Sequence, residues 1–247
     1  VAQWVSLTGK DDNASDDNQT VLLTLTPSSG DSKYNSSSLA QTLTVTTIDD
    51  ADTVGLLLSK NSAVVSENGS VSDNFSVVLT SEPTANVTLT LSDNDSTEVS
   101  ATPSTLSFGS GNWSVAQWVT LTGKDDNVSD DNQTTLLTLT LSGGDYSGLA
   151  APTVTVTTSD NDTAGLTIVE SGSGTTAVEG GDNDTFTVRL ASRPTGSVVL
   201  SVQASNSADV SVNPTTLSFD NSSSSWQTAQ TVTVSAVNDA VDDDNVT

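Results

Sequence analysis

The 247-residue chain contains no cysteine, no methionine and no histidine. Without cysteine it forms no disulfide, no thiolate metal site and no thiol nucleophile. Without histidine it lacks the side chain that most often acts as a general base or transition-metal ligand near neutral pH. No phosphate-binding loop, nucleotide-binding fingerprint or nucleophile elbow is present either. We therefore expect a protein that is not an enzyme.

Basic residues are scarce as well. The chain has 6 Lys and Arg but 31 Asp and Glu, which gives a net charge of −25. Such a surface repels phosphate backbones and anionic lipids, so nucleic acid and direct membrane insertion of this segment are not expected. No apolar run is long enough to span a bilayer. A strongly acidic surface instead suits divalent cations.

One stretch organises the sequence. VAQWVSLTGKDDNASDDNQT (1–20) returns as VAQWVTLTGKDDNVSDDNQT (115–134) and, more altered, as TAQTVTVSAVNDAVDDDNVT (228–247). Other anchors repeat 111 positions apart, such as Pro83 with Pro194. A period of this length corresponds to whole domains in tandem rather than to turns of a solenoid.

Within each period, apolar residues alternate with Ser and Thr, as in NVTLTLS (86–92) and PTVTVTT (152–158). This alternation predicts half-buried strands, and no sustained helical period is seen. The chain is thus expected to be all-β, with tandem Ig-like antiparallel β-sandwich domains of about 110 residues. The expected core residues are Phe75, Leu89, Leu91 and Phe108, repeated as Phe186, Leu200, Val202 and Phe219.

The domain boundaries are predicted from TTIDDADTVGL (46–56) and TTSDNDTAGL (157–166). Residues 1–52 are then the C-terminal half of one domain, 53–162 a complete domain, and 163–247 the N-terminal part of a third. A half sandwich cannot bury its core alone. Since the two ends duplicate each other, we expect a window on a continuous array. The alternative is that subunits complete each other's half domains by strand donation.

Three features carry a family resemblance: the boundary motifs, an early Glu in VVSENGS (64–70) and TAVEGGD (176–182), and the segment 102–126 with its echo at 213–239. The chain resembles tandem Calx-β-type repeats of large bacterial or archaeal surface adhesins. It is similar, more distantly, to the calcium-binding domains of the sodium–calcium exchanger. The resemblance implies calcium at one tip of each sandwich, with ligands from the early Glu, an acidic loop and the acidic terminus.

Carried onto this sequence, the implied calcium ligands fall into three sets. The complete domain supplies Glu67, Asp125, Asp126, Asp130, Asp131, Asp160 and Asp162. The third domain supplies Glu179, Asp239, Asp242, Asp243 and Asp244. The first partial domain supplies Asp11, Asp12, Asp16, Asp17, Asp49, Asp50 and Asp52. One family acid has no clear match: Asp93 and Asp95 are stand-ins, but the third copy has Ala204 and Asn206 there.

The acidic loops can also be interpreted from their residues alone, without the family resemblance. KDDNVSDDNQ (124–133) holds four carboxylates, and Ca²⁺ takes about six to eight hard oxygen ligands. Unneutralised carboxylates at such spacing repel one another. The loops are therefore either cation sites or solvated hairpin tips of an acidic protein.

Asn-X-Ser/Thr sequons mark candidate N-glycosylation sites on a secreted chain. They occur at Asn13, Asn18, Asn35, Asn68, Asn74, Asn86, Asn94, Asn112, Asn127, Asn132, Asn161, Asn183, Asn221 and Asn245. A chain rich in Asn, Ser and Thr also produces many sequons by chance.

Together these features predict a structural repeat array of an extracellular, cell-surface protein, either an adhesin stalk or the shaft of a surface filament. Ca²⁺ is the expected cofactor and stiffens the interdomain acidic loops. The expected partners are neighbouring repeats of the same protein and other copies in a filament. The alternatives are a ligand-binding adhesin module, accessory repeats of a secreted enzyme, and a cytosolic calcium sensor.

Overall fold

The structure is a computed structural model that describes residues 1–50, 52–222 and 224–239. It is all-β, with two short 3-10 turns at Ser37–Leu39 and Gly144–Tyr146 as the helical elements of the described residues. None of these helices is long and apolar enough to cross a membrane. The all-β fold class is confirmed.

The strands are short and, where their register is defined, pair in antiparallel fashion. In chain order the described strands are β1 (Gln19–Leu25), β2 (Gln41–Thr47), β3 (Leu56–Leu58), β4 (Ser62–Ser66), β5 (Ser72–Leu79), β6 (Val87–Asp93), β7 (Val99–Thr102), β8 (Thr105–Phe108), β9 (Gln117–Gly123), β10 (Gln133–Ser142), β11 (Thr153–Ser159), β12 (Leu166–Glu170), β13 (Asp184–Leu190), β14 (Val198–Ser201), β15 (Val210–Asn213), β16 (Thr216–Phe219) and β17 (Gln230–Ala236).

The chain divides into two compact units. The first comprises Val1–Ala63, Ser72–Thr122 and Thr135–Val156. The second comprises Val64–Val71, Gly123–Thr134 and the residues from Thr157 onward. This division differs from the boundaries expected from sequence at 52 and 162, which stay predictions.

Sheet order repeats along the chain. One sheet has the order β3-β5-β9-β7, and the matching order β12-β13-β17-β15 appears one period later. The β6–β8 pair places Val87 opposite Phe108, and the β14–β16 pair places Val198 opposite Phe219. Each of these positions lies 111 residues from its counterpart, so the sequence repeat is also a repeat of strand register.

The copies differ in what flanks these strands. In the first, β6 and β8 belong to a five-stranded sheet with the order β4-β11-β10-β6-β8. In the second, β14 and β16 form a two-stranded sheet among the described residues. The hairpin β1–β2, whose sequence matches β10–β11, is likewise a sheet of two strands.

Burial follows the period of two that the sequence shows. Val154 and Val156 of β11 are buried, whereas Thr153 and Thr155 are exposed. Phe75, Leu89, Leu91 and Phe108 are all buried, as expected. The second set is buried less completely: Phe219 is buried, while Phe186, Leu200 and Val202 are only partly buried against the core. That core joins β13 and β17 to β16, which makes the second copy a two-layer β-sandwich.

Tyr146 fixes the loop that connects β10 to β11. Its side chain is fully buried, and its hydroxyl oxygen accepts a hydrogen bond from the Ser81 N–H at 3.0 Å. The same hydroxyl donates to the Ser81 carbonyl at 2.8 Å. One phenol therefore satisfies both backbone polar groups of a buried residue, and leaving such groups unpaired is costly.

Replacing Tyr146 with Phe should lower the free energy of unfolding by about 1–3 kcal/mol, because two buried groups of Ser81 lose their partner. Equilibrium denaturation of the full chain measures this loss. The chain's other tyrosine, Tyr34, is 62% exposed, so Tyr34→Phe serves as the matched control and should leave stability unchanged. Equal effects of both substitutions would contradict the assignment.

Candidate metal centre

Glu67 follows directly after β4 and is only 4% exposed. A turn holds it in place, because Ser66 N–H donates to Val71 O and Gly69 adopts a positive φ of 70°. Glu67 N–H donates to Ser159 O, the last residue of β11. This hydrogen bond brings the glutamate beside the segment 160–162, which leaves the same strand.

Three carboxylates meet at this point. Ligand atoms of Glu67, Asp160 and Asp162 all lie within 4.8 Å of one another. The Asn161 N–H points to Glu67 Oε2 at 3.4 Å, and the Asp162 N–H donates to Asp160 Oδ1 at 2.7 Å. The donors available to a ligand are therefore hard oxygens, the type that Ca²⁺ and Mg²⁺ prefer.

The acidic loop between β9 and β10 converges on the same segment. Asp160 Oδ2 accepts from the N–H groups of Asp130 and Asp131, both at 3.1 Å. Asn161 Nδ2 donates to Asp125 Oδ1 at 3.0 Å. Glu67, the acidic loop and the acidic terminus, which the resemblance implied as ligand sources, therefore lie together in this copy.

Electrostatics agree with this crowding. Partial burial raises the pKa of Asp162 above its usual value, and the nearby charges of Asp160, Asp125, Asp126 and Asp130 raise the pKa further. An acid whose pKa is raised on folding is destabilising in its charged form. A divalent cation would neutralise this repulsion, and the donor set fits such an ion.

The first copy repeats part of the arrangement. Partial burial raises the pKa of Asp52, and the nearby charges of Asp50, Asp49, Asp11 and Asp12 raise this pKa further. Asp16 Oδ2 instead accepts from Gln19 Nε2, and Asp17 is exposed. Residues 1–52 contain no glutamate, so nothing there corresponds to Glu67.

The third set is described only in part. Glu179 and Asp239 are both exposed. The predicted ligands Asp242, Asp243 and Asp244 lie outside the described residues, as does the sequon at Asn245. The stand-in acid Asp95 is engaged elsewhere, because Thr97 donates to it through its hydroxyl and its N–H, which lowers the pKa of Asp95.

Sequence reasoning missed the structural role of the loop asparagines, which it treated only as sequons. Asn132 Oδ1 accepts from Asp160 N–H at 3.1 Å, and Asn18 Oδ1 accepts from Asp49 N–H at 3.0 Å. The two contacts are equivalent in the two copies. The sequence did contain an indication of this role, because Asn18 and Asn132 occupy the same position in the nearly identical stretches 1–20 and 115–134. All thirteen sequon asparagines among the described residues are exposed.

The acidic loops make a second repeated contact. Asn127 O accepts from Arg193 N–H at 2.6 Å, and Val128 forms a parallel bridge with Arg193. In the preceding copy, Asn13 O accepts from Glu82 N–H at 2.6 Å, and Ala14 bridges to Glu82. Both contacts use backbone groups, which explains why Glu and Arg can occupy equivalent positions.

In each loop, an acidic side chain holds the backbone in the turn that makes this contact. Asp126 Oδ1 accepts from Val128 N–H at 2.6 Å, and Asp12 Oδ1 accepts from Ala14 N–H at 3.1 Å. Such bonds from an Asp to the N–H two residues later are a standard way to hold a tight turn. The same loop thus carries acidic residues and contacts a Ser-X-Pro segment of the following repeat, residues 81–83 or 192–194.

Comparison with known proteins gives structural similarities only. No protein-family model and no curated protein sequence matches the chain. Similar solved structures include CBD12 from CALX1.2, with 18% identity over 75% of this chain and 76% of that one and a TM-score of 0.34. The apo form of the Calx CBD1 domain has 22% identity over 43% of this chain and 98% of that one, with a TM-score of 0.32. The D0–D1 domain of intimin has 16% identity over 74% and 84%, with a TM-score of 0.30. Because these values are low, function has to be argued from the residues of this chain.

In the presence of chelator, Asp162→Asn should raise the thermal stability of the chain at neutral pH, because it removes a charge from a repulsive cluster. The gain should shrink as the pH falls through the raised pKa of Asp162, where the wild-type carboxyl becomes neutral. Thermal denaturation at several pH values measures both effects.

Asp220→Asn is the control with the same change of charge. Hydrogen bonds from Ser222 lower the pKa of Asp220, so its carboxylate is favourable in the folded state. Asp220→Asn should therefore not stabilise the chain. A stabilisation common to both variants would point to net charge instead of the cluster.

Proposed function

We propose that this chain is a structural repeat array of an extracellular surface protein, the stalk of an adhesin or the shaft of a surface filament. In this proposal Ca²⁺ at the acidic loops stiffens the joints between Calx-β-like repeats. The function is mechanical and includes no catalytic step. Its partners are neighbouring repeats and other copies of the chain.

The observation that carries the proposal is the double use of the acidic loop. Asp130 and Asp131 bind through their N–H groups to Asp160, a member of the carboxylate cluster. Three residues before Asp130, Asn127 binds through its carbonyl to Arg193 of the following repeat. A cation that immobilises one part of this short loop therefore restrains the part that contacts the next repeat. The same contact recurs at Asn13 and Glu82, as an array requires.

The chemistry of the donors favours Ca²⁺ over other ions. Glu67, Asp160 and Asp162 would hold the ion through carboxylate oxygens, with loop carboxylates such as Asp125 close by. Bound Ca²⁺ would cancel the repulsion among these groups and link three chain segments. Mg²⁺ requires a nearly ideal octahedron and gives up water reluctantly, so it suits a loop of converging carboxylates less well. Zinc and copper sites usually include His or Cys, which this chain lacks.

A surface location is supported by two further features of the residues. Exposed faces of the strands are dominated by Thr and Ser, as in Thr88 and Thr90 of β6. Exposed sequon asparagines are spread through both compact units, for example Asn86 in the first and Asn183 in the second. We propose that some of them carry N-glycans. Asn112 and Asn161 are poor acceptors in the folded chain, because each uses its Nδ2 as a hydrogen-bond donor.

Calcium should bind the purified chain and raise its melting temperature, whereas Glu67→Gln should weaken binding at the described cluster. At a free calcium concentration of about 100 times the dissociation constant, the expected stabilisation is about 2.7 kcal/mol. Isothermal titration calorimetry and thermal denaturation measure the two effects. Asp220→Asn removes one charge from outside the cluster and should bind calcium like the wild type. No calcium response in the wild type would overturn the proposed role of the ion.

Calcium should also restrict the joint. X-ray scattering of the wild-type chain should give a narrower distribution of dimensions with calcium than with chelator. In Glu67→Gln the difference should be smaller, because the cluster at one joint is weakened. A maximum dimension that does not respond to calcium, in a chain that binds it, would contradict stiffening while leaving the binding site intact.

A further inference from the structure

An exposed tryptophan and a sequon asparagine share one face of a sheet in the first compact unit. Trp118 lies on β9 and is 58% exposed. Val119 and Leu121 of the same strand are buried, so Trp118 is on the outer face of the sheet β3-β5-β9-β7, away from the core. The indole therefore offers an apolar surface to whatever binds this face.

Asn74 of β5 belongs to the same outer face. Phe75 and Val77 are fully buried, whereas Asn74 is exposed. Its side-chain amide makes no hydrogen bond within the described part of the chain. Among the thirteen described sequon asparagines, Asn74 is the one that lies inside a strand. The paired strand fixes the direction in which this amide leaves the backbone.

Strand register makes the two residues neighbours. β5 and β9 are antiparallel, with Ser76 opposite Trp118 and Asn74 opposite Thr120. Asn74 and Trp118 are therefore diagonal neighbours on one face, about 7–8 Å apart and within reach of an aromatic ring. A gap of this size between an amide and an indole accommodates one sugar ring.

Trp118 already covers part of this face. Ser76 is on the outer face directly opposite Trp118, and yet it is only 9% exposed. Directly opposed side chains have Cβ atoms about 4.5–5.5 Å apart, so the large ring shields the small hydroxyl. The indole thus lies over the sheet, and its outer surface remains open to solvent.

The following repeat lacks both residues together. Its β13–β17 pairing has the same register as the β5–β9 pairing. Thr185 stands in place of Asn74, and Thr231 stands in place of Trp118. The flanking residues are kept, since an Asp precedes and a Phe follows this position in both repeats. The sequon and the indole therefore occur together in one repeat and are replaced together in the next.

From this pairing we propose that Asn74 carries an N-glycan whose first sugar ring packs on the indole of Trp118. The inference rests on the proposed surface location of the chain and on the glycosylation of its sequons. The C–H face of a pyranose is apolar and suits the electron-rich face of an indole. Thr120, which is opposite Asn74 and exposed, offers a hydroxyl to the polar edge of the same sugar.

The covered sequon serine gives the order of events. Ser76 is the third residue of the sequon and is buried once the sheet has formed. Sugar transfer to Asn74 therefore precedes the pairing of β5 with β9. After folding, the strand holds the attached sugar against Trp118, so the glycan removes apolar surface from the outside of the repeat.

Residue-resolved footprinting tests this contact. The full chain is secreted from a host that N-glycosylates, and mass spectrometry of its peptides gives the occupancy of each sequon. Hydroxyl-radical oxidation of Trp118 should be at least about twofold lower in the glycosylated wild type than in Asn74→Gln, because the sugar covers one of the two faces of the ring. Trp4, which is 94% exposed, is the internal reference and should be oxidised equally in both.

The possible results separate this contact from the glycosylation on which it rests. A chain with no occupied sequon would overturn the proposed glycosylation and this inference together. Occupied sequons elsewhere with a bare Asn74 would overturn this inference alone. Equal oxidation of Trp118 in both forms would also overturn it, including equal protection by a second copy of the chain.

A double-mutant cycle measures the energetic coupling of the two residues. Relative to Asn74→Gln, the glycan should raise the melting temperature by a few degrees, and it should lose this effect in the Trp118→Ala background. Leu57→Ala is the control background, because Leu57 is 63% exposed on β3 of the same sheet and pairs with Val78, away from Asn74. Circular dichroism checks that all variants fold. A glycan effect that is as large in Trp118→Ala as in the wild type would contradict the contact.

Discussion

The pairing of the β10–β11 hairpin with β6 in one five-stranded sheet, which buries an apolar face of the hairpin, is the interaction on which this structure depends. Where β10 pairs with β6, the alternating Leu residues of β10 are buried and Tyr146 binds Ser81. Among the described residues, β14 and the β1–β2 hairpin do not show this pairing, and apolar residues of the same sequence pattern are only partly covered there. The copies therefore share their local strand structure and differ in the strand pairing of the described residues.

The acidic loops combine crowded, mutually repelling carboxylates with backbone hydrogen bonds to the following repeat. Their carboxylates crowd together, which raises the pKa of Asp162 and of Asp52. Backbone groups of the same loops bind Glu82 and Arg193. Because the connection uses main-chain atoms, it tolerates opposite charges at equivalent positions, and side chains remain available for a cation. This separation of tasks suits a modular array whose surface sequence can drift.

Much of the fold could be predicted from local patterns. The alternation in PTVTVTT places Val154 and Val156 inside and Thr155 outside, because successive side chains on a strand point to opposite faces. The extent of burial of Phe186 and Leu200, which are only partly buried, could not be predicted from this alternation. Their pattern is that of Phe75 and Leu89, but full burial depends on a partner strand that local sequence does not specify. For the candidate metal centre, the family resemblance named the acids, while long-range hydrogen bonds revealed the anchoring roles of Asn18 and Asn132.

The sequence by itself determined the all-β class, the period, the positions of the strands and the acidic character of the loops. These properties follow from residue types and short-range periodicity. Tertiary structure decided which acids meet, that Glu67 is buried beside Asp160 and Asp162, and which hairpin is covered. The reason is that contacts such as Glu67 with Asn161 or Tyr146 with Ser81 join residues far apart in the chain. Only strand pairing, which depends on the whole sheet, brings such residues together.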